Sequence, residues 1–381
     1  MGRVVRFGVV VSAVTALCVA APQVVGASAA TPKPVVVVKG LNNPRQIALV
    51  SNDELLVAEA GYGGTTKVPG APGEGDQYVG PTGSISAVYL PQYAHNTTPT
   101  RIVRGLLSAA GKDGSAAVGS DGVAARTAHG PIYVQETYAP PDVLPAPFKS
   151  KQDGRLLAAL PYHAVHVVAN ITGYEFRHNP DGREKDSNPY AVLARSNDLL
   201  VADAAGNDVL RVDSKNRIHV FHVFPNVRSG SCAKQADPGP KFPGCNFVPT
   251  SLAVDAAGHV YVGGLVSEAR GQGQVLKLSA DGRKVLHVYR GFTSVTGVAV
   301  SPKGVLYVSE LEAKEAHPAG PQVVGVLTRI ANGHRRHLDV PFPAGVAVNS
   351  KGVVFVAAYS IAPSGGLGGP GTSGQVWKLH F

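Results

Sequence analysis

Charge is scarce in this sequence: 16% of its 381 residues are Asp, Glu, Lys or Arg, against 44% hydrophobic residues. That balance excludes a disordered chain, which needs more charge and less apolar material. The formal net charge of +9 is not concentrated, since no run of lysine and arginine exceeds Arg335-Arg336 and aromatics do not interleave with the basic residues. A nucleic-acid partner is therefore not expected. Beyond the first 30 residues no run is long and apolar enough to span a bilayer. Motifs that announce chemistry are also missing. There is no G-x-S-x-G nucleophile elbow, no H-E-x-x-H zinc motif and no D-x-D-x-D-G calcium loop. The glycine-rich stretches Gly80 to Ser84 and Gly365 to Gln375 open no helix, so neither is expected to cradle a phosphate. The 13 histidines are scattered and fit surface or structural roles.

What is present is glycine (45), proline (29) and much valine, the composition of a turn-rich β protein. Residues 1–29 have Arg3 and Arg6 ahead of an apolar run and end in Ala27-Ser28-Ala29, the pattern of a secretory signal peptide. Cys18 lies inside that run behind Leu17, where a lipid-attachment site would want a small residue. The other two cysteines, Cys232 and Cys245, bracket a loop rich in proline and glycine, and in an exported chain they are expected to form a disulfide.

One phrase recurs: "ELLVAEA", "PIYVQET", "DLLVADA", "HVYVGGL", "VLYVSEL" and "VVFVAAY", aligned on Val57, Val134, Val201, Val262, Val308 and Val356. Most copies follow a second phrase, such as "PRQIALV", "PYAVLA", "PTSLAV", "VTGVAV" or "PAGVAV", with a compact turn between. A third strand follows each copy, and several show a fourth. Six four-stranded antiparallel units predict an all-β fold, a six-bladed β-propeller filling residues 30–381 as one domain, because a lone blade cannot bury its faces. The C-terminus supplies three strands of its last blade, so Pro34 to Leu41 is expected to add the fourth and close the ring.

The long insertions fall on one face: after the second strand (Ala60 to Gly80, Tyr138 to Gly154, Glu312 to Gln322, Ser360 to Ser373) or before the next blade (Leu107 to Gly122, Ile171 to Asn188, Asn226 to Val248). Only "LPQYAHNTTPT" belongs to the other face. Long loops gathered on one face of a rigid scaffold mark where function sits. Two residues beyond each aligned valine come Glu59, Glu136, Asp203, Gly264, Glu310 and Ala358. The four acids are candidate ligands for a hard divalent cation such as Ca2+ at the channel mouth; turn hydrogen bonding, as "DAAGND" suggests for Asp203, explains them equally well. Arg45, Asp186, Ser187, Asn188 and Tyr190 are candidates for a ligand-binding face, because they stand where the chain enters a first strand.

The run "YEFRHNPDGREKDSNPYAVLARSNDLLVADAAGNDVLRVD", with "AEAGYGG", "GPTGSIS" and "VPTSLAVDAAGHVYVGGL", resembles the NHL repeat and, along nearly the whole mature chain, the secreted ScyD/ScyE family. The resemblance implies export and a six-bladed fold akin to gluconolactonase-type propellers. It implies no activity, and Gly264 departs from the acid that family members tend to carry there. The expected function is a secreted, non-catalytic, monomeric binding propeller whose partner is a small molecule, glycan or protein. The alternative is a metal-dependent hydrolase or lactonase, with a cation held by Glu59, Asp203 and Glu310.

Overall fold

The structure, a computed structural model, describes residues 34–70, 75–90, 98–137, 152–313, 325–368 and 371–381. The leader at 1–29 lies outside the described residues, as do parts of the insertions after Ala60, Tyr138, Glu312 and Ser360 and most of "LPQYAHNTTPT".

The recurring phrases become the first two strands of successive sheets. First strands are Pro44–Leu49, Ser120–Ala125, Pro189–Ala194, Pro249–Val254, Val295–Val300 and Val346–Val348. Second strands are Glu54–Glu59, Ile132–Glu136, Leu199–Asp203, Val260–Gly264, Leu306–Glu310 and Val354–Ala358. All six aligned valines are 0% exposed, so the phrase repeats because each copy fills the same place between sheets. β-branched residues suit this position, where both faces of a strand are covered.

The described residues form six antiparallel sheets, five of four strands and one of five. Their first strands neighbour one another in a closed cycle, first to second and on to the sixth, which returns to the first. The fold is an all-β propeller. In the last sheet Val35–Leu41 pairs antiparallel with Gly374–Leu379, with Val38 opposite Val376 and Leu41 opposite Gly374. The N-terminal strand thus completes the C-terminal sheet, as the spare "VVVV" stretch led us to expect.

Two insertions carry more regular structure than the sequence suggested. In the first sheet Gln77–Tyr89 runs beyond its partner Glu54–Glu59 and also pairs with Thr66–Val68 and Thr100–Ala110, so part of the Ala60 to Gly80 insertion is a strand extension. Glycine makes it possible: a Cβ on Gly64 would collide with the backbone of Val79 and Gly80. The insertion from Ile171 holds the only α-helix among the described residues, Ile171–His178. Asn170 caps it by accepting from Gly173 N at 2.9 Å, Arg177 and His178 face the negative end of the helix dipole, and Asn179 ends it in the left-handed conformation.

The Cys232–Cys245 disulfide forms, with Cα atoms 5.2 Å apart. Both cysteines are fully buried in a cluster that includes the stacked rings of Phe224 and Phe247, 4.3 Å apart. This packing explains Gly264: a Cβ there would lie 2.5 Å from the Phe247 ring, so the aromatic plug fills the space an acidic side chain would need.

Candidate functional site

The second residues of the six first-strand phrases are Arg45, Asp121, Tyr190, Thr250, Thr296 and Ala344, and all six line one cavity of about 150 Å³. In five sheets the pairing of first and second strands slips at this residue, between Pro44 and Ile47, Ser120 and Gly122, Pro189 and Ala191, Pro249 and Ser251, and Val295 and Gly297. A β-bulge re-aims a side chain out of the regular alternation. Repeated in these five sheets, it turns one residue of each into a shared central cavity, which Ala344 of the sixth also lines. Further walls come from Asn188, Leu265, Glu268, Ser294, Leu311, Glu312, Ser360 and Ile361.

Arg45 is the cation of this ring. Its Nε lies 3.4 Å from Asp121 Oδ1, and its guanidinium also donates to the carbonyl of Ala117. Asp121 is 2% exposed, and burial pushes its carboxyl up to about 7 despite the opposing pull of Arg45 and a hydrogen bond from Thr137. The single proton of the Thr137 hydroxyl is shared between Asp121 and Asn188 Oδ1, 2.9 Å away, which ties the second sheet to the third at the cavity rim. Burial raises the Tyr190 phenol to about 12, so it stays protonated. Glu268 and Glu312 are both raised by burial, Glu268 also by the charge of Glu312, while Arg270 draws Glu312 back. The cavity therefore offers one fixed cation, three carboxyls held toward neutrality, a set of hydroxyls and an apolar wall.

Glu268 reaches the cavity from a strained turn. Val266, Ser267 and Glu268 all have positive φ (57°, 46° and 57°), a conformation that is unfavourable for a β-branched residue such as valine. The surrounding loop holds the turn in place. Val266 N donates to Phe247 O at 2.9 Å, and the Ser267 hydroxyl donates to Asp237 Oδ2 at 2.6 Å. Asp237 lies within the disulfide loop and Phe247 two residues beyond it, so the cross-link supports one wall of the cavity.

Of the candidates for a ligand-binding face, Arg45, Asn188 and Tyr190 meet in the cavity, and Asp186 and Ser187 are not among its lining residues. Ser187 is turned inward, donating to Asp203 Oδ2 at 2.6 Å, and Asp186 Oδ1 accepts from Ser187 N at 2.8 Å. The four strand-end acids do not line the cavity either; each takes donors from its own sheet or from the loops at its ends, and Glu136 Oε2 has no hydrogen-bond partner among the described residues. Glu59 accepts from Asn42 N at 2.7 Å, Ser86 Oγ at 2.5 Å and Arg101 Nη2 at 2.7 Å. Glu136 accepts from Ser120 Oγ at 2.6 Å, and Glu310 accepts from Thr293 N at 2.9 Å and Thr328 Oγ1 at 2.6 Å. Asp203 takes Ser187 Oγ, Asn188 N at 2.7 Å and Gly206 N at 3.0 Å. Among the described residues no group of three or more His, Cys, Asp or Glu is arranged as a ready metal centre. Asp121, Thr250, Thr296, Glu268 and Glu312 were not legible as site residues. The signal for the first three was the second position of the first-strand phrase, hidden in the second sheet because "SDGVAA" lacks the proline that marks other copies.

No family model matches the chain, and no curated protein matches it. Solved structures of similar fold include a protein of unknown function from Bacteroides thetaiotaomicron, 10% identical, covering 91% of this chain and 75% of that one, with a TM-score of 0.50. A putative oxidoreductase (glucose dehydrogenase) from Thermus thermophilus is 14% identical over 91% of this chain and 99% of that one, with a TM-score of 0.49. A streptogramin B lyase is 9% identical over 91% and 96%, with a TM-score of 0.45. At such identities the likeness concerns the propeller fold and no activity passes with it.

Proposed function

We propose that the protein is a secreted propeller of the ScyD/ScyE type, its six sheets the six blades of an NHL-like ring, that binds a small organic molecule in its central cavity without transforming it. Residues 1–29 are its signal peptide, residues 30–381 its single domain, and it acts as a monomer. The disulfide is compatible with an extracellular setting, and no helix among the described residues is long and apolar enough to cross a membrane. The observation that carries the reading is the convergence of one bulge-aimed side chain from each of five sheets, with Ala344 from the sixth, on one cavity. Concave sites with an apolar wall and a few convergent polar groups are where small molecules bind. Arg45 and Ser294, with the Thr250 and Thr296 hydroxyls, which donate to the carbonyls of Val295 and Pro343 and keep acceptor capacity, suit a monosaccharide-sized, hydroxyl-bearing ligand such as a sugar, sugar lactone or hydroxy acid.

Thermal shift of the protein against a panel of such compounds tests this. At least one should raise the melting temperature saturably, and Arg45→Met should abolish the effect while Arg217→Met, at an exposed site, should not. Shifts equal in all three proteins would refute it. One observation favours a catalytic second reading: the Asp121 carboxyl, at about 7, is poised for general acid–base work in the same cavity. That would be hydrolysis of a lactone or ester at Asp121, with no role for the carboxylates of Glu59, Asp203 and Glu310. Asp121→Asn should then retain binding and lose turnover.

A further inference from the structure

Outside the cavity, the third sheet gathers acids at one end. Asp203 and Asp208 are direct partners across the hairpin from Leu199–Asp203 to Asp208–Val212, so their side chains share a face. Other sheets put Ser84, Gln274, Val326 or Gln375 opposite the residue that corresponds to Asp203. Like charges placed opposite one another are destabilising. A third acid, Glu175, descends on this pair from the helix Ile171–His178. A Cβ on Gly206 would lie 3.0 Å from Asp203 Cγ and 3.2 Å from Glu175 Oε2, so the glycine gives the two carboxylates room to meet there.

The three acids are not equivalent. Asp203 is satisfied by its three donors. Glu175 and Asp208 are each 0% exposed, and none of their four carboxylate oxygens has a hydrogen-bond partner among the described residues. Burying unpaired carboxylates in this way is costly. Burial, with the charges of Asp203, Asp181 and Asp186, pushes Glu175 up to about 9. Asp208 is driven well above its ordinary value by burial and by Asp203, Glu175 and Asp181. One turn beyond Glu175, the Asn179 side-chain oxygen is also buried without a donor.

We propose that Glu175 and Asp208, beside the negative charge of Asp203, hold a hard divalent cation of the Ca2+ class between the helix and the hairpin. Ca2+ takes oxygen ligands from carboxylates, amide and main-chain carbonyls and tolerates irregular geometry, so two carboxylates completed by neutral oxygens form a suitable site. The cation supplies the positive charge that these buried oxygens lack. It also locks the helix onto the hairpin whose Asp203 fixes Ser187 and Asn188, the latter a wall of the central cavity.

Calorimetric titration of metal-free protein with CaCl2 tests the site, beside Tb3+ luminescence excited through Tyr174, which senses the charges of both Glu175 and Asp208. One Ca2+ per chain should bind with a rise in melting temperature, and Tb3+ should give sensitised emission that excess Ca2+ quenches. Glu175→Gln and Asp208→Asn should each melt at or above the wild-type temperature in EDTA and weaken Ca2+ binding at least tenfold. Tyr174→Phe should keep Ca2+ binding and lose the emission. Folded wild-type protein with no saturable Ca2+ binding, or equal binding in both carboxylate variants, would overturn the proposal. If those variants fail to fold, emission that persists in Tyr174→Phe overturns it.

Discussion

Replacing Asp121 by asparagine should stabilise the protein at high pH and leave it unchanged at low pH. The side chain is buried, and its carboxyl titrates near 7 in the fold against an ordinary value of 3.8. Its pKa is raised on folding, so the native state prefers the neutral acid and the unfolded state ionises first. Wild-type stability therefore falls as pH rises from about 4 to about 7 and then levels, losing roughly 1.4 kcal/mol for each pH step of one between those limits. The total is at most about 4 kcal/mol, and it already includes the attraction of Arg45, which lowers the carboxyl without restoring it. Asparagine is isosteric with the neutral acid and does not ionise, so the variant escapes this loss. Urea denaturation of both proteins at pH 4, 5, 6, 7 and 8 gives the difference directly. The two proteins should be nearly equal at pH 4, with a growing advantage for Asp121→Asn up to pH 7. A difference flat with pH, or a wild type that gains on the variant as pH rises, would refute the reasoning and make Asp121 an ordinary ion-paired carboxylate.

Other consequences are simpler to read. Arg101→Met removes the only cation bonded to fully buried Glu59 among the described residues, and because the other donors remain it should cost about 3 kcal/mol in urea denaturation; a loss under about 1 kcal/mol would contradict that role. Gly264→Ala drives a methyl into the Phe247 ring and should destabilise by about 1–3 kcal/mol, whereas unchanged stability would mean the ring can move aside. Cys232→Ser should cost about 3 kcal/mol in the chain-entropy account and weaken ligand binding through the Ser267 turn. Intact affinity in that variant would separate the disulfide from the cavity wall.

The architecture was largely legible because each sheet repeats the same burial problem: Val57 and its five counterparts are equivalent in sequence and equally buried in the fold. The site was harder to read, because the same repetition placed the acids at strand ends, where they look like a ring. Glu59, Glu136, Asp203 and Glu310 occupy equivalent positions, yet each is held by donors of its own sheet or adjoining loop and none lines the cavity. The cavity is built from the neighbouring strand, where a bulge turns one residue inward. Pattern alone gives no sign of the bulge, because the residues at the slip share no chemistry: Arg45, Asp121, Tyr190, Thr250 and Thr296. Arg45 and Tyr190 follow a proline that marks the strand entry, whereas Asp121 follows Ser120, so the same position carries no mark in the second sheet. Glu268 depends on a left-handed turn held by a loop remote in sequence, and no local signal reports that. The helix Ile171–His178 had a local signal, Asn170 before it and Asn179 after it, masked by the proline- and glycine-rich stretch that follows.

Ligand binding in the cavity where the six sheets meet is the core of the proposed function. The most direct measurement is a crystal structure of the protein with a ligand from the sugar, lactone and hydroxy-acid panel. Ligand density should be bounded by Arg45, Tyr190 and Thr296. Density elsewhere, such as the surface groove beside Phe224, Arg228 and Arg290, with the central cavity left untouched by a ligand that binds in solution, would contradict it.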